Sequence, residues 1–166
     1  EILYEDDEFI VVNKPQGLLS VSSDKEKTRT AFKLVLDYLI KKDKHNHLFV
    51  VHRIDRETSG VLMFCKNEKI RDKMQENWNN IVKKRGYIAI VDGKITDNGT
   101  IRTFLAEDRR QFVYSSRNGI GKEAITHYSS IKNNNENSEE KIANVSILST
   151  NSNAENIDSI NESSNN

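Results

Sequence analysis

The sequence predicts an α+β fold on a largely antiparallel, mixed sheet with flanking helices. Two observations carry this prediction. Helical patterns occur only in the first half of the 166 residues, and short strand patterns separated by charged or glycine-containing turns fill the second half. A regular parallel β-α-β array would alternate helices and strands along the whole chain, so an antiparallel arrangement fits better.

The first half alternates strand and helix patterns. Short runs rich in β-branched and aromatic residues predict strands at 9–12, 48–51, 60–65 and 87–91. Apolar residues at helical spacing predict one helix capped by Thr28 or Thr30. A second helix is predicted after Asn67, with an apolar stripe that runs from Ile70 through Met74 and Trp78 to Val82 and is expected to be core.

The second half predicts hairpin strands at 100–105, 111–114 and 124–128. Residues 133–166 differ in composition, because 18 of these 34 residues are Asn or Ser and only one is basic against six acidic. Apolar and polar residues alternate from 142 to 148, so segment 133–148 predicts a further strand, whereas 149–166 is predicted to be disordered. We therefore expect the main domain to span 1–132.

Composition also bounds the class of protein. The single cysteine, Cys65, excludes an internal disulfide and is expected to be a core residue. The sequence shows no charged-then-apolar leader and no long apolar run, so we expect a reducing, cytoplasmic setting and no membrane association. Residues 1–132 carry 24 basic against 19 acidic side chains, a balance that permits nucleic-acid binding without requiring it.

The segment His52-Arg-Ile-Asp-Arg-Glu-Thr-Ser-Gly60 is the most informative, because it sets Asp55 between Arg53 and Arg56. Nearby positive charge favours the ionised form of a carboxyl, and an ionised, oriented aspartate can act as nucleophile or base. From the spacing alone, a loop with surface ion pairs is an equally good interpretation.

Three further segments could contribute to a site. The segment Asn13-Lys14-Pro-Gln-Gly17 predicts a turn after a strand. Lys83-Lys-Arg85-Gly-Tyr87 sets basic charge beside an aromatic, which suits phosphate contact with base stacking, although a cationic helix end is as common. Lys122 enters a strand within Gly121-Lys-Glu-Ala-Ile-Thr126, where a solvated strand end is the alternative to a phosphate contact.

Together these four segments resemble the ordered motifs of the RluA-type pseudouridine synthases. That family shows Asn-Lys-Pro-x-Gly, His-Arg-Leu-Asp-x-x-Thr-Ser-Gly, a basic-x-Tyr strand and Gly-Lys-x-Ala-x-Thr, and Ile54 for Leu is the only departure in the central motif. The resemblance implies isomerisation of uridines in structured rRNA or tRNA, without metal or organic cofactor. We expect a monomer.

The resemblance also implies roles for individual residues. Asp55 matches the catalytic aspartate, acting by covalent attack or by assisted glycosidic cleavage. Arg53 matches a position that helps to hold the space vacated by a flipped uridine, and Tyr87 matches the aromatic that packs against uracil. Further RNA contacts are expected from Lys14, Arg85 and Lys122, and shaping of the site from His52, Arg56, Thr58, Ser59 and Gly60.

The family pattern continues with a Thr-Gly-Arg-x-x-Gln-Ile-Arg-like motif, whose arginine pairs with the catalytic aspartate, and this sequence has no arginine after Arg117. We therefore expect an incomplete catalytic domain, truncated or degenerate. Two alternatives stay open. One is an RNA-binding remnant without catalysis, and the other is a metal-dependent hydrolase that uses His52, Asp55 and Glu57, with His45 and His47 as further candidates.

Overall fold

The computed structural model describes residues 1–91, 98–110, 112–116 and 118–131, together with the backbone of 141–149. The described chain falls into two compact units, Glu1–Trp78 and the residues from Asn79 onward. All ladders between the described strands are antiparallel, which confirms the α+β class. The predicted disorder of 149–166 falls almost wholly outside the described residues.

The first unit holds a four-stranded sheet in the order β1-β2-β4-β3 and most of the helical residues. Its elements are β1 (Ile2–Glu5), β2 (Phe9–Lys14), α1 (Ala31–Lys42), β3 (Phe49–Val50), β4 (Gly60–Cys65) and α2 (Glu68–Glu76). A short helix, α3 (Trp78–Ile81), follows at the boundary between the units.

The second unit holds a five-stranded sheet in the order β5-β9-β8-β6-β7. Its strands are β5 (Gly86–Val91), β6 (Asn98–Glu107), β7 (Val113–Ser116), β8 (Lys122–Ile131) and β9 (Lys141–Ser149). Strand β9 confirms the strand predicted from the alternation at 142–148. No helix among the described residues is long and apolar enough to cross a membrane.

The core of the first unit forms where one face of the sheet meets α1. Strand β2 buries alternate residues, and α1 buries every fourth residue, as the two periodicities require. The cluster comprises Ile10, Val12, Val21, Ala31, Val35, Leu39, Leu48, Val50, Leu62 and Phe64. Cys65 is buried beside it, as expected of a core cysteine, and burial raises the pKa of its thiol to about 12.

Helix α1 begins after Thr30, which settles the choice between the two predicted caps. The Thr30 hydroxyl accepts a hydrogen bond from the Lys33 N–H at 3.1 Å. The N–H groups of Ala31 and Phe32 donate to the carbonyl oxygens of Leu19 and Ser20, at 2.8 and 3.0 Å. The first N–H groups of the helix are therefore satisfied partly by the segment that follows β2.

One local prediction was wrong, and one strand was not predicted. The helix after Asn67 does not run on to Val82, because α2 ends at Glu76, with Asn77 as its C-cap, and α3 starts at Trp78. The Asn77 side chain donates to the Lys73 carbonyl at 3.3 Å, and asparagine competes with helix propagation in this way. Strand β1 was not predicted, since three of its four residues are exposed and show no alternation.

The carboxylate of Glu5, at the end of β1, accepts hydrogen bonds from three side chains. Lys66 Nζ donates at 2.8 Å, Lys42 Nζ at 2.9 Å and Tyr38 Oη at 2.9 Å. These bonds, that of Lys66 first, lower the pKa of Glu5 to about 2 against the opposing effect of burial. The carboxylate thus ties the edge strand to α1 and to the residue that follows β4.

We expect Glu5 to make the first unit sensitive to acid. Its folded-state pKa lies below the ordinary 4.5, so its stabilisation is complete above that value and is lost as the pH falls toward about 2. Glu5→Gln should lower the free energy of unfolding at pH 7 by on the order of 2 kcal/mol after allowance for solvent screening. Urea unfolding at pH 7 and pH 2, with exposed Glu76→Gln as control, measures this. A deficit that persists at pH 2 would contradict it.

Candidate active site

Two loops meet at one edge of the first sheet. Register pairs Lys14, the last residue of β2, with Gly60, the first residue of β4. The turn after β2 and the loop before β4 therefore leave the sheet side by side. Gly17 N–H donates to the Arg56 carbonyl at 2.8 Å, and Arg56 Nε donates to the Gly17 carbonyl at 3.1 Å. Gly17 has φ +81°, which favours glycine in this turn.

Lys14 is a buried lysine that holds these two loops together. It occupies the next inward position of β2 after Ile10 and Val12 and is 1% exposed. Its Nζ donates to the carbonyl oxygens of Pro15, Leu18 and Arg56, at 3.1, 2.6 and 3.2 Å. The amine thus uses all three of its donors on backbone carbonyls. This observation supports a loop-holding role for Lys14 instead of the predicted RNA contact.

Asp55 lies exposed in the loop before β4, and its carbonyl accepts a hydrogen bond from Thr58 N–H at 3.1 Å. Among the described residues, neither flanking arginine forms an ion pair with the Asp55 carboxylate. Arg56 directs its guanidinium to Gly17 and approaches Glu57 at 3.7 Å. Arg53 is exposed, and among the described residues no ion pair reaches the Asp55 carboxylate. The turn that carries Arg56 explains this, because it points that side chain back at the β2 loop.

A different cation interacts with Asp55. Burial lowers the pKa of Lys14, and the charges of Glu57 and Asp55 partly offset that effect. Among the described residues the Lys14 amine bonds directly to carbonyls alone, so its attraction to the two carboxylates acts through space.

His52 is part of the scaffold of the loop. Its Nε2 accepts a hydrogen bond from the Met63 N–H at 3.1 Å, and its ring lies 5.3 Å from that of Trp78, centroid to centroid. Gly60, with φ +121°, allows the chain to turn from the loop into β4. Thr58 is half-buried and Ser59 is exposed. The site-shaping roles that the resemblance implies for His52, Thr58 and Gly60 stay predictions.

The other predicted residues belong to the second unit. Arg85 is half-buried, and Tyr87 lies half-buried on β5. Register pairs Tyr87 with Val145 and Val145 with Tyr128, so Tyr87, Tyr128 and Lys122 share one face of the sheet. Six residues along β8 and two strand spacings separate Lys122 from Tyr87, which amounts to about 20 Å. A single uridine could not contact both side chains.

The structure does not support the metal-dependent hydrolase as an alternative within the described residues. Among the described residues, no three or more His, Cys, Asp or Glu side chains form a group that could hold a metal ion. The five residues of the metal-dependent alternative therefore do not assemble, within the part of the chain that the structure describes.

Sequence reasoning assigned no role to Ser20, which is only 4% exposed. Its hydroxyl donates to the Ile54 carbonyl at 2.5 Å and accepts from the Ile54 N–H at 3.2 Å. A polar residue between Leu19 and Val21 was the available signal, since a buried hydroxyl needs a partner.

Comparison with known proteins gives a consistent result. A family model described as RNA pseudouridylate synthase matches residues 8–153. The chain is 39% identical over 101 residues to a tRNA pseudouridine synthase C of Haemophilus ducreyi, covering 61% of this chain and 40% of that protein. It is 32% identical over 132 residues to YlyB, an uncharacterized RNA pseudouridine synthase of Bacillus subtilis, covering 77% and 44%.

Solved structures show the same fold. Human RNA pseudouridylate synthase domain containing 4 matches with a TM-score of 0.67 at 19% identity, covering 90% of this chain and 59% of that one. The chain thus spans less than half the length of the two curated relatives above.

Proposed function

Because this chain belongs to the RNA pseudouridylate synthase family, we propose that it isomerises selected uridines of structured RNA to pseudouridine. The RNA is tRNA or ribosomal RNA, the setting is cytoplasmic and the chain acts as a monomer. The observation that supports the proposal best is the exposed Asp55 carboxylate, presented by a loop whose neighbouring residues are bonded to the turn after β2.

Asp55 is the catalytic residue of this proposal. In the reaction the bond between ribose C1′ and uracil N1 breaks, a bond between C1′ and C5 forms, C5 loses a proton and N1 gains one. A carboxylate can assist either by attacking covalently or by promoting glycosidic cleavage. The target uridine has to leave its stack to reach an aspartate at the protein surface. In this proposal Arg53, which lies two residues before Asp55 and is exposed, occupies the space that the uridine vacates.

An RNA-binding role without catalysis is the second candidate. It is favoured by the absence, among the described residues, of any ion pair to the Asp55 carboxylate. We rank the catalytic role first, because the loop that carries Asp55 is hydrogen-bonded to the rest of the unit at the residue before Asp55 and at the residue after it.

Single-turnover release of tritium from C5-labelled uridine tests the proposal. The purified chain, in excess over labelled total tRNA or rRNA transcripts, should release tritium to water, and nuclease digestion should yield pseudouridine. RNA binding measured at two salt concentrations accompanies the assay, since phosphate contacts weaken with salt. Salt-dependent binding with no tritium release from either RNA would overturn the catalytic proposal and support the binding role.

A further inference from the structure

The Ser20 hydroxyl satisfies both backbone polar groups of one residue. It accepts from the N–H of Ile54 and donates to the carbonyl of the same residue. Ile54 directly precedes Asp55, so these two bonds fix the peptide from which Asp55 extends. Ser20 lies 34 residues before Ile54 in the sequence, and its hydroxyl is linked to Asp55 through the peptide of Ile54.

Ser20 is itself held by the start of α1. Its carbonyl accepts from Phe32 N–H at 3.0 Å, and the neighbouring Leu19 carbonyl accepts from Ala31 N–H at 2.8 Å. Leu19 and Thr30 also form an isolated parallel bridge. The hydroxyl is therefore anchored to the N-terminal turn of a helix whose inner face lies in the core.

The residue that follows Asp55 is held independently. The Arg56 carbonyl accepts from Gly17 N–H and from Lys14 Nζ. Asp55 thus stands between two fixed peptides, with Ser20 holding the residue before it and the β2 turn holding the residue after it. These bonds set the backbone position of Asp55, from which its carboxylate extends.

We infer that Ser20 is a positioning residue for Asp55, acting through the peptide of Ile54. The inference rests on the proposed function, because it gives the position of Asp55 a catalytic meaning. A displacement on the order of 1 Å can lower a rate about 100-fold without changing which groups are present. Loss of the Ser20 hydroxyl should therefore reduce the chemical step and leave RNA affinity intact.

The pair Ser20→Thr and Ser20→Val tests this, since the two side chains have nearly the same shape and only threonine keeps the hydroxyl. At saturating chain, Ser20→Val should lower the single-turnover rate about 10- to 100-fold, and Ser20→Thr should stay within about threefold of the parent. The dissociation constant for RNA should change by less than about twofold in both variants. If valine prevents folding, Ser20→Ala replaces it.

A readout without RNA separates this inference from the proposed function. Ser20→Val should abolish the slow hydrogen exchange of the Ile54 amide and lower the order parameter of the Asp55 amide from about 0.85 toward about 0.6. The Gly17 amide, bonded on the other side of the loop, should keep its protection. If the parent chain were inactive but Ser20→Val still showed these two changes, the proposed function would be refuted and the inference about Ser20 would stand. An ordered Asp55 in Ser20→Val, or equal rates for the Thr and Val variants, would overturn the inference.

Discussion

Asp55→Asn is expected to lower single-turnover tritium release by at least about 1000-fold, because the amide can neither attack carbon nor accept a proton as the carboxylate does. The side chain is exposed and forms no ion pair among the described residues, so the change removes no structural contact. We therefore expect the midpoint of thermal unfolding to stay within about 2 °C of the parent value. Tritium release and thermal unfolding on the same preparations measure both quantities.

Asp7→Asn is the matched control, since Asp7 is also exposed and its side chain forms no hydrogen bond or ion pair among the described residues. It makes the same chemical change within the same unit and should retain the parent rate. If Asp55→Asn released tritium as fast as Asp7→Asn, the assignment of Asp55 as the catalytic residue would be wrong. Retained RNA binding by Asp55→Asn would show that the loss lies in chemistry.

Much of the first unit could be predicted because its signals are local. Alternation along β2 and the four-residue period of α1 are properties of neighbouring residues, and the core that they predict is present. The same alternation places Lys14 inward, although the sequence does not say which acceptors its amine finds. Asn77 shows the limit of periodicity, because one side-chain hydrogen bond ends a helix whose apolar pattern continues.

The site was less predictable because its decisive bonds join residues far apart in sequence. The spacing of Arg53, Asp55 and Arg56 suggested ion pairs, yet the Arg56 side chain reaches Gly17, 39 residues away. The bond from Lys14 to Arg56 spans 42 residues. Such contacts depend on which strands pair, and that pairing is set by the whole sheet.

Lys14→Met is expected to release the Asp55 loop from the turn after β2. Methionine has a similar length but cannot donate, so the carbonyls of Pro15 and Leu18 each lose a part-buried hydrogen bond, and the Arg56 carbonyl keeps only its bond from Gly17 N–H. Each unpaired acceptor costs about 1–3 kcal/mol, but the variant no longer has to bury an ammonium group, which offsets part of this cost. The free energy that holds the loop closed should therefore fall by about 2 kcal/mol. The attraction between the Lys14 ammonium and the carboxylates of Glu57 and Asp55 is lost as well.

Trypsin provides the measurement, because Arg53 and Arg56 are exposed cleavage sites on the loop in question. Cleavage there should accelerate about 30-fold in Lys14→Met, since opening becomes easier by about 2 kcal/mol. Lys66→Met is the matched control. That lysine is also largely buried and donates to Glu5 and to the Asp6 carbonyl, and among the described residues it has no bond to either loop of the site. Lys66→Met should lower the stability of the unit without accelerating cleavage at Arg53 and Arg56. Equal cleavage in the two variants at equal stability would mean that Lys14 stabilises the unit in general, and that the loop owes its position to Ser20 and Gly17.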